Sequence, residues 1–566
     1  MKKYLFFLVY LIFIIPTNAF CQIVNLDWIY QVGGEGKDIG IFTVIDKYEN
    51  IINAGVFTAQ VNFNPSGAAY LLYAEQSFHD IYIQKLDADR NFIWVKQIGG
   101  IEQDMVNRIT TDTDGNVYAV GYFTGKADFD PSPDSIYLYG KGAKDAFLLK
   151  LDPNGNYLWA KQLGGEGDDN ISDLKLDSND NVYVTGSFDS PSIYSENGVK
   201  LFDNKGLSDG FICKFDKNGN LLWYKQHGGS GDDTCAEISI NSKDNLLITG
   251  FFSETANFNT ATNPINYTSN GSDNSDIFIE KLDANGNFLW LRQIGGTYAD
   301  DGKSITTDEQ GNIFVLGRFR STVDFDLSEN EAILQSTYLD YIEDLFVLKL
   351  DPNGNFLWVE KFGALTGEIP RQIIADKDGN IYVSAQYWVT FDLNPDGTDY
   401  VLLQQIANGN NNFLLKLDSY GNYIWSEYFN VNNFSIYTDY ANHLFVTGSF
   451  ADYISQNAEI NNNISLTSIK NSDAFIFRYT DTTSGLDEAI ANSLASLYPN
   501  PNNGIFTLNF GNKPNALYIY NSLGQEVLHS TSILTRYEFD TRLPKGIYFL
   551  KLQFEEKTEV LKLVIH

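Results

Sequence analysis

The sequence predicts an all-β chain, a seven-bladed β-propeller followed by a small C-terminal Ig-like β-sandwich. Three observations predict it. Seven tryptophans, Trp28, Trp94, Trp159, Trp223, Trp290, Trp358 and Trp425, recur at spacings of 66, 65, 64, 67, 68 and 67 residues, and self-similarity at a fixed period marks a repeat architecture. Within each unit the apolar segments are rich in Val, Ile, Tyr and Phe and lack a long 3.6-residue period, which is strand character. After Asp481 the period stops, and short alternating segments separated by turn residues take its place.

Each unit reads in one order: a Trp strand ending in Gly-Gly, a short apolar segment such as RITTD, then GNVYAVGYF, then DFD, then DAFLLKLD. The last segment runs through DPNGN, DKNGN or DANGN into the next Trp strand. Gly after Asn suits a short hairpin whose late residue takes positive φ without steric cost. DAFLLKLD and NYLWAKQL are therefore expected as antiparallel neighbours. In NVYVTGSF, Val182, Val184 and Phe188 share one face and Tyr183 and Thr185 the other. In DAFLLKLD, Phe147, Leu149 and Leu151 oppose Ala146 and Leu148. A sheet apolar on both faces needs a neighbour on each side, as stacked blades supply.

Residues 27–481 divided by seven give 65 per unit, enough for four strands and loops. The phase of the repeat predicts closure. The chain enters mid-unit at LDWIYQVGG, and the seventh unit ends at DAFIFRYTD, the half that precedes a Trp strand. Phe475 to Tyr479 is therefore expected to pair with Trp28 to Val32, covering edges that otherwise invite aggregation. The seventh unit departs from the pattern: Phe429 and Asn430 replace Gly-Gly, and TDYANH replaces the usual turn.

At the N-terminus, Lys2 and Lys3 precede the apolar run YLFFLVYLIFII and then Pro16, Thr17, Asn18 and Ala19, the order of a secretory signal. Cleavage fits after Ala19 or after Cys21, and bulky Phe20 argues against a lipid-modified Cys21. The expected divisions are a signal peptide at 1–21, a propeller at 22–481, a linker at 482–496 and a C-terminal domain at 497–566. No later run approaches the ~18 apolar residues of a membrane helix, so the mature chain reads as a soluble monomer. The net charge of -33 argues against nucleic acid or an anionic membrane as partner. Only Cys213 and Cys235 remain in the mature chain; they stand where the preceding repeat has Leu149 and Ile171, so buried thiols are expected, with one local disulfide as the alternative.

The signatures GNVYVTG, DAFLLKLDPNGN and LWAKQLGG resemble the bacterial SBBP-type β-propeller repeat of secreted proteins, over about four-fifths of the chain. That resemblance implies a fold and no single activity. In the tail, YPNPNNGIFTL, IYNSLGQEV, LPKGIYFLKL and the final KLVIH resemble the C-terminal sorting domain of type IX secretion, characteristic of Bacteroidetes. This resemblance implies handling by the type IX machinery, passage through the outer membrane, and release or surface attachment. His566 departs from the acidic or polar last residue expected there. From Leu486 onward seven Lys or Arg face eight Asp or Glu, so the acidity belongs to the propeller.

Chemistry is sparse. The five histidines, His79, His227, His443, His529 and His566, form no closely spaced pair, so a His-based metal site or dyad has no sequence support. HExxH, a phosphate-binding Gly loop and CxxC are absent. No catalytic, cofactor or metal residue is assigned, and the binding residues stay open. A carboxylate pair converging from different blades is not located by sequence. DTDGN at 112–116 and DKDGN at 376–380 are better explained as hairpin turns than as calcium loops. DFDPSPD at 128–134, DFD at 324–326 and FDLNPD at 391–396 are read as polar turns, with a calcium-binding rim as the alternative. The repeated tryptophans are expected between blades, and Trp388, outside their register, in local packing. Loops 253–275 and 320–343 are natural places for specificity. The favoured function is a secreted or cell-surface scaffold binding an extracellular protein or glycan, in adhesion or matrix contact. The rivals are an extracellular polysaccharide hydrolase or lyase with a carboxylate site in the channel, and a structural surface component.

Overall fold

The computed structural model describes residues 24–74, 78–194, 198–259, 263–271, 274–328, 330–337, 342–363, 366–393, 401–403, 411–439, 441–456, 464–481, 495–498, 505–510, 514–521, 525–530, 536–540, 543, 546–554 and 558–565. The leader, most of the linker and His566 lie outside them. All regular elements among the described residues are strands. The chain divides into two compact units, and Val24–Asp481 is one of them.

In that unit each period folds as a four-stranded antiparallel meander. Sheet 1 comprises Asp38–Ile45, Ile51–Phe57, Asp80–Leu86 and Phe92–Gly100; sheet 2, Asp104–Thr111, Val117–Phe123, Asp145–Leu151 and Tyr157–Leu163. Sheet 3 comprises Asp169–Leu176, Val182–Phe188, Asp209–Phe215 and Leu221–Gly229; sheet 4, Thr234–Ile240, Leu246–Ser253, Ser275–Leu282 and Phe288–Ile294. Sheet 5 comprises Asp301–Thr307, Ile313–Arg320, Glu343–Leu350 and Phe356–Phe362; sheet 6, Ile369–Ala375, Ile381–Tyr387, Asn411–Leu417 and Tyr423–Asn430. Sheet 7 is assembled from both ends: Asn432–Thr438, His443–Gln456 and Ile464–Asp481, completed by Val24–Gly34. Trp28 pairs with Arg478 and Val32 with Ala474, the closure expected from the phase of the repeat. The first strands of successive sheets touch in turn, and that of sheet 7 touches that of sheet 1.

Both faces of the middle strands are buried: every residue of Asp145–Leu151 and of Asp209–Phe215 is enclosed. The cores lie between sheets. Phe42 and Ile83 of sheet 1 share a cluster with Phe123 and Phe147 of sheet 2, while Trp28 and Ile476 of sheet 7 meet Ile51 and Leu86 of sheet 1. The DFD motif supplies part of this core. Phe129 is fully buried and packs on Phe123 and Phe147 with centroids 5.3 and 5.0 Å away, and Phe325 does the same with Phe319 and Phe346.

The repeated KLDPNGNYLW stretch is a latch between sheets. Asp152 closes its own turn, its Oδ1 accepting the amides of Asn154 and Asn156 at 2.8 Å, and Gly155 takes φ +78°. The Trp94 indole of the preceding sheet lies against Gly155, where a Cβ would stand 3.1 Å from the ring. Its Nε1 donates to the Pro153 carbonyl at 3.1 Å. Lys85 donates to the same carbonyl at 3.4 Å and pairs with buried Asp46 at 2.9 Å. The same arrangement joins Trp159 and Lys150 to Lys217, Trp223 and Lys214 to Ala284, and Trp358 and Lys349 to Ser419. Each of these four Trp–Lys pairs thus holds the hairpin one repeat ahead.

The C-terminal unit holds two antiparallel sheets. Ala495–Tyr498, Ile505–Phe510 and Arg536–Asp540 form one; Ala516–Asn521, Glu526–Ser530, Gly546–Gln553 and Thr558–Ile565 form the other. Leu517, Ile519, Leu550 and Leu552 are among its buried residues.

Candidate functional site: the interrupted sheet junction

Gly-Gly follows five of the seven Trp strands, Gly363-Ala364 and Asn430-Val431 standing in the other two, and it exists to seat buried carboxylates. At Gly164 a Cβ would lie 1.9 Å from Oδ1 of Asp145, the first residue of the neighbouring strand in its own sheet; at Gly100 it would lie 2.0 Å from the Lys126 carbonyl. The second glycine donates its amide to the aspartate that opens the next sheet: Gly34 to Asp38 at 2.7 Å, Gly100 to Asp104 at 2.9 Å, Gly165 to Asp169 at 2.7 Å, Gly229 to Asp233 at 2.8 Å and Gly296 to Asp300 at 2.7 Å. Two fully enclosed carboxylates therefore face each other at these junctions: Asp473 with Asp38, Asp80 with Asp104, Asp145 with Asp169, Asp209 with Asp233, and Asp276 with Asp300. Burial, opposed by the glycine amide and reinforced by the partner's charge, pushes Asp38, Asp104 and Asp300 up to about 8, Asp233 to about 7 and Asp169 to about 6.

The junction from sheet 6 to sheet 7 breaks this pattern. Register places Asn411 opposite Asn430, so Asn430 and Val431 occupy the Gly-Gly places, one residue later than the sequence suggested. Asn430 follows Trp425 by five residues, as Gly164 follows Trp159; the connecting loop is deleted, and Val431 leads straight into Asn432–Thr438. Asn412 Nδ2 donates to the Val431 carbonyl at 2.7 Å. The β-bulge moves too. In sheet 6 it falls at Arg371, after Pro370 pairs Ala385; in sheet 7 it falls at Asn433, before Phe434 pairs Gly448. A bulge re-aims its side chain. A cleft of about 510 Å³ opens here, lined by Lys37, Arg371, Asn412, Asn433, Asn471 and Ser472 among others, and thus spans sheets 6, 7 and 1. Arg371 Nη2 donates to Gln386 Oε1 at 2.7 Å, while its buried Nε has no partner among the described residues.

Around the axis, the first strands are stapled by side chains at one register position. Asp173 accepts the Ile238 amide at 3.2 Å, Glu237 the Ile305 amide at 2.9 Å, Ser304 the Ile373 amide at 3.0 Å and Gln372 the Ile436 amide at 3.1 Å. Arg108 bridges Asp173 and Glu237 at 2.8 Å each, with its guanidinium 4.4 Å from the Phe42 ring centroid. This is the cross-blade carboxylate pair that sequence could not locate, and its oxygens are engaged by Arg108 and by backbone amides.

Other sequence candidates resolve as architecture. Asp112 and Asp376 close their own hairpins by accepting the Asn116 and Asn380 amides at 2.8 Å. On the rim, Asp128 accepts the Asp130 and Ile136 amides, and Asp324 those of Asp326 and Ala332. Asn62 and Asn257 make the same bonds at the same place, so the position selects an acceptor oxygen and not a charge. Residues 394–396 lie outside the described residues. Trp388 is half-buried after Ile381–Tyr387. Cys213 and Cys235 are buried free thiols. Sequence reasoning missed His227, which sits between Cys235 Sγ at 3.4 Å and Glu280 Oε2 at 3.2 Å. All three are enclosed, and burial lowers His227 to about 3 and raises Glu280 to about 8. A substrate has no access to them.

Repeated sheets latched around an axis define a β-propeller protein. Consistent with that, residues 93–129, 158–188 and 289–318 match the β-propeller repeat family SBBP, and residues 496–566 match the secretion system C-terminal sorting domain. The sorting domain marks the protein for type IX secretion and the cell surface. An uncharacterized WD repeat-containing protein of Acanthamoeba polyphaga mimivirus is 24% identical over 471 residues, 70% of this chain and 34% of the relative. The regulatory protein FlaEY of Caulobacter vibrioides is 29% identical over 152 residues, 26% of this chain and 15% of the relative. The chain thus spans about a third or less of these relatives. Among solved structures, PorZ, a surface component of the type IX secretion system of Porphyromonas gingivalis, is 11% identical, with 95% of this chain and 100% of PorZ covered and a TM-score of 0.18. A DUF4221 member from Bacteroides vulgatus is also 11% identical, covering 81% and 98% at a TM-score of 0.30. Among the described residues no helix is long and apolar enough to cross a membrane.

Proposed function

We propose that this protein is a surface-displayed binding scaffold: a seven-bladed propeller over residues 22–481, joined by a linker at 482–496 to an Ig-like sorting domain at 497–566, that engages an extracellular protein or glycan. The signal peptide at 1–21 starts its export, and the type IX machinery is its first partner. The observation that carries the binding reading is the cleft at the interrupted junction. At five other junctions Gly-Gly, a connecting loop and paired carboxylates fill the space between sheets; here the loop is deleted and amide and cationic side chains line the opening. A concave site with a few convergent polar groups is the usual form of a ligand site. The test is an array of glycans and extracellular-matrix proteins probed with the full chain and with Asn433→Trp, which fills the cleft. Specific capture lost on filling supports the reading; capture equal in both, or none at all, refutes it.

A further inference from the structure

The charges around the cleft are sorted against the grain of the protein. The chain carries 72 Asp and Glu against 39 Lys and Arg, and its cations are routinely paired: Lys85 with Asp46, Lys150 with Asp112, Lys214 with Asp177, Arg318 with Asp301, Arg478 with Asp27. The cleft inverts this. Among the described residues that line it there is no carboxylate, whereas Lys37 and Arg371 both do, and neither has an ion-pair partner among the described residues. The inversion has a local cause: the deleted loop would have carried the sheet-opening acid, and Asn411 stands where the other sheets have aspartate.

We propose that the cleft binds an acidic saccharide, its carboxylate held by Arg371 and Lys37 and its hydroxyls by the surrounding amides. The proposal rests on the binding reading above and names its ligand class. Arg371 lines the cleft with its guanidinium anchored through Nη2 on Gln386 Oε1 at 2.7 Å, and a hydrogen bond between charged groups is stronger than one between neutral groups. The guanidinium fork suits a carboxylate. Asn412, Asn433 and Asn471 each carry both a donor and an acceptor, which matches a polyhydroxylated ring, and the volume of about 510 Å³ admits a short oligosaccharide. The described lining contains no aromatic ring, so charge and hydrogen bonds carry the affinity.

The test is calorimetric titration of the full chain with tetragalacturonate and with the neutral galactose tetramer, at low and physiological ionic strength. The acidic oligomer is expected to bind at least tenfold tighter than the neutral one and to weaken with salt. Arg371→Gln and exposed Lys37→Gln should each reduce its affinity about tenfold, Arg371→Lys should retain part of it, and Lys200→Gln, in a remote surface pair with Asp203, should not change it. Unchanged melting of the variants confirms that they fold. Absence of heat with the uronate oligomer, equal binding of both oligomers, or indifference to Lys37→Gln and Arg371→Gln overturns the proposal. If the array then still shows capture that Asn433→Trp abolishes, the binding scaffold stands and only its ligand class falls.

Discussion

Replacing Arg108 by methionine tests whether the axis is held by charge. Arg108 makes two bonds of 2.8 Å to carboxylates from sheets 3 and 4, and the three side chains are only 15%, 0% and 6% exposed. Methionine keeps the aliphatic stem over Phe42 and removes both bonds. Asp173 retains Lys175 at 3.0 Å, so Glu237 becomes the buried charge without a cation. Breaking a buried pair from one side costs about 3–5 kcal/mol. For the unit Val24–Asp481, unfolding entropy near 2.1 cal/mol/K per residue sums to about 1 kcal/mol/K, so the loss appears as a fall of about 3–5 °C in melting temperature. Burial already raises the Glu237 pKa, and loss of the arginine raises it further, so the deficit should shrink as pH falls from 8 to 5 and Glu237 takes up a proton. Calorimetry of Arg108→Met at both pH values, with Arg108→Met/Glu237→Gln as the partial rescue, measures this. A shift under about 1 °C at pH 8, or a deficit that grows on acidification, refutes the reasoning.

The paired junction carboxylates predict that the propeller unit loses stability as pH rises. The folded pKa values of Asp38, Asp104, Asp233 and Asp300 lie above the unfolded value, so the folded state binds more protons than the unfolded one across the window from about 4 to about 8; melting at pH 5.5 should exceed that at pH 8.5, and the opposite order counts against protonation of these four. Gly164→Ala should destabilise by about 2–4 kcal/mol, since the new Cβ meets Asp145 Oδ1 at 1.9 Å and either the strand shifts or the Gln162 bond to that carboxylate breaks; urea titration showing less than about 0.5 kcal/mol would remove the steric account of Gly-Gly. Chelation of calcium should leave melting unchanged, because Asn62 and Asn257 do without charge what Asp128 and Asp324 do with it; a fall on chelation would place a cation on the rim.

How much was legible in the sequence follows from how local each feature is. The strands, the hairpin between DAFLLKLD and the Trp strand, and the closing pair of Trp28 with the seventh unit could be read because period, alternation and phase lie in the chain itself. The purpose of Gly-Gly could not. It depends on Asp145, 19 residues upstream of Gly164 but adjacent in the sheet, and on Asp169 from the next sheet, and acidic residues in a chain of this charge read as surface when these are enclosed. The seventh unit announced itself as irregular, yet the cleft forms only when its shortened connection meets Lys37 from the other end of the unit. His227 was passed over because Cys235 and Glu280 reach it from different strands.

Sheet 7 is completed by the first strand of the unit, with Val24 opposite Asp481. This imposes a schedule. At a synthesis rate of roughly 5–20 residues per second, the strand at Val24–Gly34 waits on the order of 20–90 s before the segment that pairs with it exists. For that interval it is an open edge facing a growing array of like strands, any of whose third strands offers a nearly equivalent berth. Asp27 helps distinguish the correct berth: it receives Arg478 at 2.9 Å and the Thr480 hydroxyl at 2.6 Å. In the other repeats that place is held by Ile93, Leu158, Leu222, Leu289, Leu357 and Ile424. A single carboxylate thus serves as one key by which the oldest part of the chain recognises the youngest.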